Sequence, residues 1–230
     1  MLISMGTHDK ILEEKKRVLT KLQHHRVNLT ERMADAFLKV PREDFVLGNY
    51  VERAYFDTPL PILAGQTISA IHMVMIYISP SCTNPQIGDK ILEIGAGSGY
   101  NAAMFAEMVA PEGFENPGHV YALEIIPELV EFAKNNIEKT GYSDRVTILQ
   151  SDGGLGYLKE SPYDIISVAA ASKTIPPPLL EQLKEDGKLV IPVGKRFYQE
   201  LFLITKVSEN EYSEKNMGGV AFVPLTGKYG

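Results

Sequence analysis

Strand and helix signals that alternate along most of the chain predict an α/β fold. It is an open, mostly parallel sheet with an antiparallel pair at its C-terminal end and a helical cap ahead of it. Three observations carry this expectation. A glycine-rich loop, Gly95-Ala96-Gly97-Ser98-Gly99, joins the apolar run Lys90-Ile91-Leu92 to a helical run over 101–110. Further β-rich runs start at His119, Arg145, Tyr163 and Lys188, mostly separated by helix-length segments, which is the spacing of βαβ units. Two more, over 200–207 and 219–223, close the chain with a polar stretch between them.

Taken in order, residues 10–26 place Ile11, Leu12, Val18, Leu19 and Leu22 at helical spacing. Lys15, Lys16, Arg17, Lys21 and His24-His25-Arg26 fall around them, so this basic cluster reads as a solvated helix face. A second helix is expected over 30–38. A third is expected over 70–78, with Ser69 placed to cap it, since serine is preferred at that position. The strand at 90–92 then feeds the glycine loop. A second strand, 119–123, ends at Glu124, and Pro127 suits the first position of the helix that follows through Lys139. A third strand covers 145–150, and a fourth, 163–170, has the character of a buried central strand ending in small residues. Pro176-Pro177-Pro178 breaks regular structure before a helix over 179–185. The turn Asp186-Gly187 leads into a strand over 188–193, and 208–216 reads as the loop of the final antiparallel pair.

At 230 residues there is room for little more than one domain, with 1–80 as cap and lid and 81–230 as the sheet. The single cysteine, Cys82, allows no intrachain disulfide and suggests a reducing, cytoplasmic setting. The first ten residues lack the apolar centre of a signal peptide, and no apolar run nears the roughly 20 residues of a membrane span. A formal net charge of −6 argues against nucleic acid as a partner. Five histidines and one cysteine show no metal-ligand spacing, so no metal is expected.

The glycine loop implies a cofactor. Glycines let a ligand approach the backbone, and the helix that follows offers unpaired N–H groups. The dinucleotide pattern G-x-G-x-x-G requires glycine where this chain has Tyr100. Here the pattern is E-x-G-x-G-x-G, with Glu93 ahead of Gly95, Gly97 and Gly99. A carboxylate at that place repels a pyrophosphate and suits a cationic ligand without phosphate, such as S-adenosyl-L-methionine. Glu124 can accept hydrogen bonds from two ribose hydroxyls, and Asp152 one from an adenine amino group. With Glu93 they fall at the carboxyl ends of successive strands, where open α/β sheets bind ligands. The pattern describes the Rossmann-like architecture of class I S-adenosylmethionine-dependent methyltransferases, with a plain nucleotide-binding sheet as the other reading.

The region before the sheet is more specific. It contains Val40-Pro41-Arg42-Glu43-Asp44-Phe45, Tyr55-Phe56-Asp57-Thr58-Pro59-Leu60-Pro61-Ile62 and Gly65-Gln66-Thr67-Ile68-Ser69-Ala70-Ile71-His72-Met73. Together with the glycine loop, Asp152-Gly153, Pro162-Tyr163-Asp164 and Phe222-Val223-Pro224-Leu225, these runs resemble the protein-L-isoaspartate (D-aspartate) O-methyltransferase family over nearly the whole chain. Two departures are Ile71, where the family usually has proline, and Ala96, where it often has threonine or cysteine. The family's longer members also continue beyond the last strand. The resemblance implies methyl transfer from S-adenosyl-L-methionine to the free α-carboxylate of L-isoaspartyl residues in damaged proteins and peptides, leaving S-adenosyl-L-homocysteine.

It also implies roles for single residues. Ser69 would orient the substrate carboxylate, with helix capping as the other reading. Gln66, Thr67 and Ile68 would cover the cofactor from one side and Thr226 from the other, while Ile125 and Gly153 would line its site. His72 either touches the cofactor or faces solvent. Ala169, Ala170 and Ala171 leave room for a peptide backbone running along them and Val220, or else pack the sheet tightly. A methyltransferase of small carboxylic acceptors, or a non-catalytic isoaspartyl-binding module, would carry many of the same features.

Overall fold

A computed structural model describes residues 7–24, 27–195 and 198–230. Its cap begins with α1 (Thr7–His24) and α2 (Glu31–Lys39), so Arg26, the end expected for the first helix, lies outside the described residues. Thr30 starts α2 by accepting a hydrogen bond from the Met33 N–H at 3.3 Å. One member of the basic cluster departs from the solvated face. Lys15 is buried, and its ammonium donates to the carbonyls of Leu38 (2.7 Å) and Val40 (3.3 Å), closing the C-terminal end of α2. Burial lowers its pKa below that of an ordinary lysine.

A small antiparallel pair, β1 (Leu60–Pro61) and β2 (Thr67–Ile68), leads to α3 (Ile71–Ile78). The residue at the head of α3 is Ala70, which has no side-chain cap, so the capping role expected of Ser69 is not realised. Asp57 supplies it instead from the preceding loop, its Oδ1 accepting the His72 N–H at 2.8 Å.

The sheet contains β3 (Lys90–Ile94), β4 (His119–Glu124), β5 (Val146–Gln150), β6 (Tyr163–Val168), β7 (Leu183–Lys195), β8 (Tyr198–Ser208) and β9 (Glu211–Val220). Their order is β5-β4-β3-β6-β7-β8-β9. The first five are parallel and the last two antiparallel. The chain moves outward from β3 to β5 and then returns to place β6 on the other side of β3. This makes the β3–β6 boundary the topological switch point, where such sheets open a crevice. α4 (Tyr100–Val109) is apolar nearly all round and is buried between sheet and cap. α5 (Pro127–Lys139) carries one apolar face and starts at Pro127 as expected. Side chains alternate across β3: Ile91 joins the core shared with α4 and the cap, whereas Leu92 and Ile94 join a second core on the other face. Among the described residues no helix is long and apolar enough to cross a membrane.

Three expectations need correction. The helix expected over 179–185 is only α6 (Pro177–Glu181), because Leu183 already pairs with Tyr163 of β6. Asp186, at φ 62°, then shifts the register before Lys188 pairs with Ile165. The stretch 208–216 is mostly strand: β9 begins at Glu211 after a turn at Glu209-Asn210. Its polar composition suits a solvated edge strand and misleads a reading by hydrophobic alternation. The strand expected over 219–223 ends at Val220, and the chain then becomes a strap across the sheet end. There the Ala171 N–H donates to Val223 O and the Leu225 N–H to Ala171 O, both at 2.8 Å.

Thr30→Ala should lower unfolding free energy by about 1 kcal/mol with an unchanged denaturant m-value, as measured in a urea titration.

Candidate active site

A cleft opens at the switch point. Its floor is the glycine loop, in which Gly95 (φ 87°) and Gly97 (φ 55°) take left-handed conformations that other residues adopt only with strain. The Gly95 and Ala96 N–H groups bind Leu123 O at 2.8 and 3.0 Å, stitching the loop to the end of β4. Glu124 continues the stitching. Its Oε2 accepts from the Gly97 N–H (3.0 Å) and its Oε1 from the N–H groups of Ile125 (2.9 Å) and Ile126 (3.0 Å). The carboxylate is therefore held rigidly, with its remaining lone pairs at the cleft wall.

Glu93 is fully buried and also lines the cleft. Asn101, in the first turn of α4, donates to its Oε1 at 2.7 Å, but its Oε2 has no partner among the described residues. Burial, opposed by the Asn101 bond and reinforced by the charge of Glu124, pushes the Glu93 carboxyl up to about 8. Among the described residues the lining thus contains two acidic side chains and no Lys, Arg or His. Such a site disfavours a phosphate-bearing cofactor and fits one that carries a cation to the unpartnered oxygen. The residues present suit the ammonium of S-adenosyl-L-methionine.

The remaining walls come from distant segments. Gln66, Thr67, Ile68 and Ser69 descend from the cap, Ile125 and Gly153 follow β4 and β5, Ala169 and Ala170 follow β6, and Thr226 closes the strap side. A side chain at Gly153 would run into Ile94, so the turn there can lie against the sheet only with glycine. Ser69 also borders shallower depressions that run beside Pro59, Met73 and Phe222.

Five residues expected at the site lie outside the lining. Gly99 heads α4 at φ 86° and packs on Ile137 and Ala133 of α5, a structural place. Asp152 accepts from the N–H groups of Gly154 (3.0 Å) and Lys228 (2.8 Å), so its oxygens tie the segment after Gly227 to the turn. His72 faces away, toward a separate cavity it shares with Arg17, Lys21 and Tyr55. Ala171 uses its N–H, and one lone pair of its C=O, on the strap rather than on a peptide. Val220 pairs with Gln199 inside the sheet.

Other residues were missed by sequence reasoning. Asn101 stands two residues beyond Gly99, in the first turn of α4, where an amide could have been suspected. Tyr100, taken only as an interruption of the glycine pattern, lines the cleft. Arg42 is wholly buried and donates to Ser69 O at 2.7 Å, a contact 27 residues away that no local signal reveals.

The His72 ring bonds Asp57 at 2.9 Å, and this bond outweighs burial and raises the His72 pKa above 6.5. Burial alone would raise Asp57, but the His72 ring and backbone bonds outweigh it and hold the carboxyl below the usual range. The pair's contribution to stability is fully present between the ordinary carboxylate range and pH 6.5, and is lost as pH rises through the His72 value. An NMR titration should find His72 above 6.5 and moved downward in Asp57→Asn.

A carboxyl raised in the folded state makes the ligand-free protein less stable as pH climbs from about 4.5 toward about 8. Glu93→Gln should flatten that slope in thermal melts. In the unmodified protein, S-adenosyl-L-homocysteine affinity should rise with pH up to about 8, and calorimetry in buffers of different ionisation enthalpy should show proton release that Glu93→Gln abolishes.

The family model for protein-L-isoaspartate(D-aspartate) O-methyltransferase matches residues 13–230. A protein-L-isoaspartate O-methyltransferase of Staphylothermus marinus is 50% identical over 217 residues, covering 94% of this chain and 96% of its own. The Methanopyrus kandleri enzyme of the same name is 48% identical over 227 residues, covering 98% and 97%. Among solved structures, one named protein-L-isoaspartate O-methyltransferase aligns with a TM-score of 0.83 at 28% identity, over 94% of this chain and 67% of its own. A Plasmodium falciparum protein assigned to the same group, solved with S-adenosyl-L-homocysteine, aligns at 0.79 and 28% identity over 92% and 98%.

Proposed function

The chain belongs to the protein-L-isoaspartate O-methyltransferase family, and on that premise we propose how its residues divide the work of protein repair. The reaction moves a methyl group from S-adenosyl-L-methionine to the free α-carboxylate of an L-isoaspartyl residue. The ester later collapses to a succinimide without the enzyme, and hydrolysis returns a fraction to normal aspartate.

The observation that carries the assignment of roles is the cleft itself: two acidic side chains, no cationic side chain among the described residues, and Ser69 on the rim. When bound, S-adenosyl-L-methionine supplies an electrophilic methyl on a sulfonium centre. Glu93 and the Gly95–Gly97 turn hold its amino-acid end, Glu124 its ribose, and Ile125 and Gly153 the base. Gln66, Thr67, Ile68 and Thr226 exclude water from above. The substrate carboxylate is ionised at neutral pH and needs no strong base. Catalysis then comes from alignment of oxygen, methyl carbon and sulfur, and from a dry site in which opposite charges cancel as the methyl moves.

Ser69 orients the carboxylate by donating its hydroxyl. Its release from helix capping, and its place between the cleft and the depression beside Met73 and Phe222, support this role. The substrate main chain runs along that depression, past Ala169 and the 221–223 strap. The fold divides in use at about residue 80, with lid before and cofactor sheet after. The net charge of −6 supports polypeptide over nucleic acid as partner, and the single buried cysteine supports a cytoplasmic setting.

The test uses methyl-labelled cofactor and two peptides differing only in one normal or iso aspartyl linkage. Base-labile label should appear on the iso peptide alone. Label on neither, with cofactor bound, would reject the repair reading and favour a small acceptor or a binding module. Ser69→Ala should lower kcat about tenfold or more while leaving the cofactor Kd within about twofold. Equal loss in both would reject its role.

A further inference from the structure

Arg42 lies outside the cleft and is fully buried, a costly place for a guanidinium. Among the described residues no carboxylate lies within ion-pair distance; Tyr100, Tyr55 and the more distant Asp57 favour its charge only in part, and its Nη1 is unpartnered. What it does hold is backbone. Its Nε donates to Ala54 O at 2.8 Å and its Nη2 to Ser69 O at 2.7 Å. These two carbonyls bracket the segment that carries Asp57, the β1–β2 pair and the lid residues Gln66 and Thr67. The central carbon of the guanidinium lies 4.7 Å from the ring centroid of Tyr100, the first residue of α4, which lines the cofactor cleft. Phe45 holds that ring from another side, with centroids 5.6 Å apart. A side chain that served only to fill this space would be apolar, because an unpaired buried charge costs free energy that methylene groups do not.

We propose that Arg42 is a positioning residue for methyl transfer: its guanidinium clamps both ends of the lid segment, at Ala54 and Ser69, against Tyr100 and so fixes the Ser69 hydroxyl relative to the bound cofactor. The proposal rests on the reading of Ser69 as the group that orients the substrate. It follows that the planar fork matters and the charge alone does not suffice. A lysine ammonium is a point donor and cannot reach two diverging carbonyls while stacking on a ring.

The test is a double-mutant cycle on the full chain with the isoaspartyl peptide. Arg42→Lys, Ser69→Ala and the double variant are compared, with rates counted per site that binds S-adenosyl-L-homocysteine so that any unfolded fraction drops out. Arg42→Lys should lower kcat about tenfold with the S-adenosyl-L-homocysteine Kd within about twofold, since misplacement of a reacting group by an ångström is enough for such a loss. In the Ser69→Ala background the same change should cost less than about twofold, as expected for residues acting through one another. If Arg42→Lys yields no binding sites, Arg42→Gln, neutral and still able to donate, takes its place in the cycle. Additive losses would reduce Arg42 to a structural residue, and a kcat per site equal to that of the unmodified protein would overturn the proposal outright. A Ser69→Ala variant with full kcat would instead overturn the reading of Ser69 on which the proposal rests.

Discussion

A carboxylate buried in the middle strand of a parallel sheet, with one oxygen bonded to Asn101 and the other to nothing among the described residues, sets the terms for the rest of the site. Glu93 cannot be ionised cheaply there, and its pKa of about 8 expresses that cost. A second carboxylate, Glu124, stands on the next strand and adds to it. Whatever fills the cleft lowers the energy of this pair most if it brings positive charge, and the described residues of the lining offer none of their own. Below about pH 8 the ligand-free Glu93 keeps its proton, and a cationic cofactor favours the ionised form, so binding, protonation and stability are linked.

The glycine loop is shaped by the same requirement. Left-handed turns at Gly95 and Gly97 bring main-chain N–H groups to Leu123 O and to Glu124, so the loop is secured before any ligand arrives. A preformed loop loses little entropy on binding, which favours affinity. Above it, the cap is continuous with the core that covers one face of the sheet: Met33, Phe37 and Phe45 pack in the same cluster as Tyr100 and Phe105. The buried guanidinium of Arg42 is where the backbone of the 54–69 segment and the ring of Tyr100, the first residue of α4, meet.

At the opposite rim, the strap between β9 and the C-terminal residues does work that looks like strand in the sequence. Gln199 fixes it by donating to Phe222 O (3.0 Å) and accepting from the Phe222 N–H (2.6 Å), a side-chain imitation of a strand partner. Ala171 completes the anchoring with its own N–H and C=O. The strap is consequently an anchored wall of the cleft.

The sequence by itself determined the succession of central strands and helices along the chain, the glycine loop, and the two acids Glu93 and Glu124. Those features arise from short-range periodicity, from residue conformational preferences and from the rule that ligands meet parallel strands at their carboxyl ends. It misjudged α6 and β9 because a polar edge strand and a helix cut short by sheet pairing leave no local hydrophobic signature. Only the tertiary structure decided which expected residues face the cleft. It turned His72 to Asp57, engaged Asp152 with the backbone of Lys228, and gave Gly99 to α5. It also revealed Arg42, whose partners lie 12 and 27 residues along the chain. Side-chain direction and long-range hydrogen bonds depend on what the remaining chain places nearby, and that information exists only once the chain has folded.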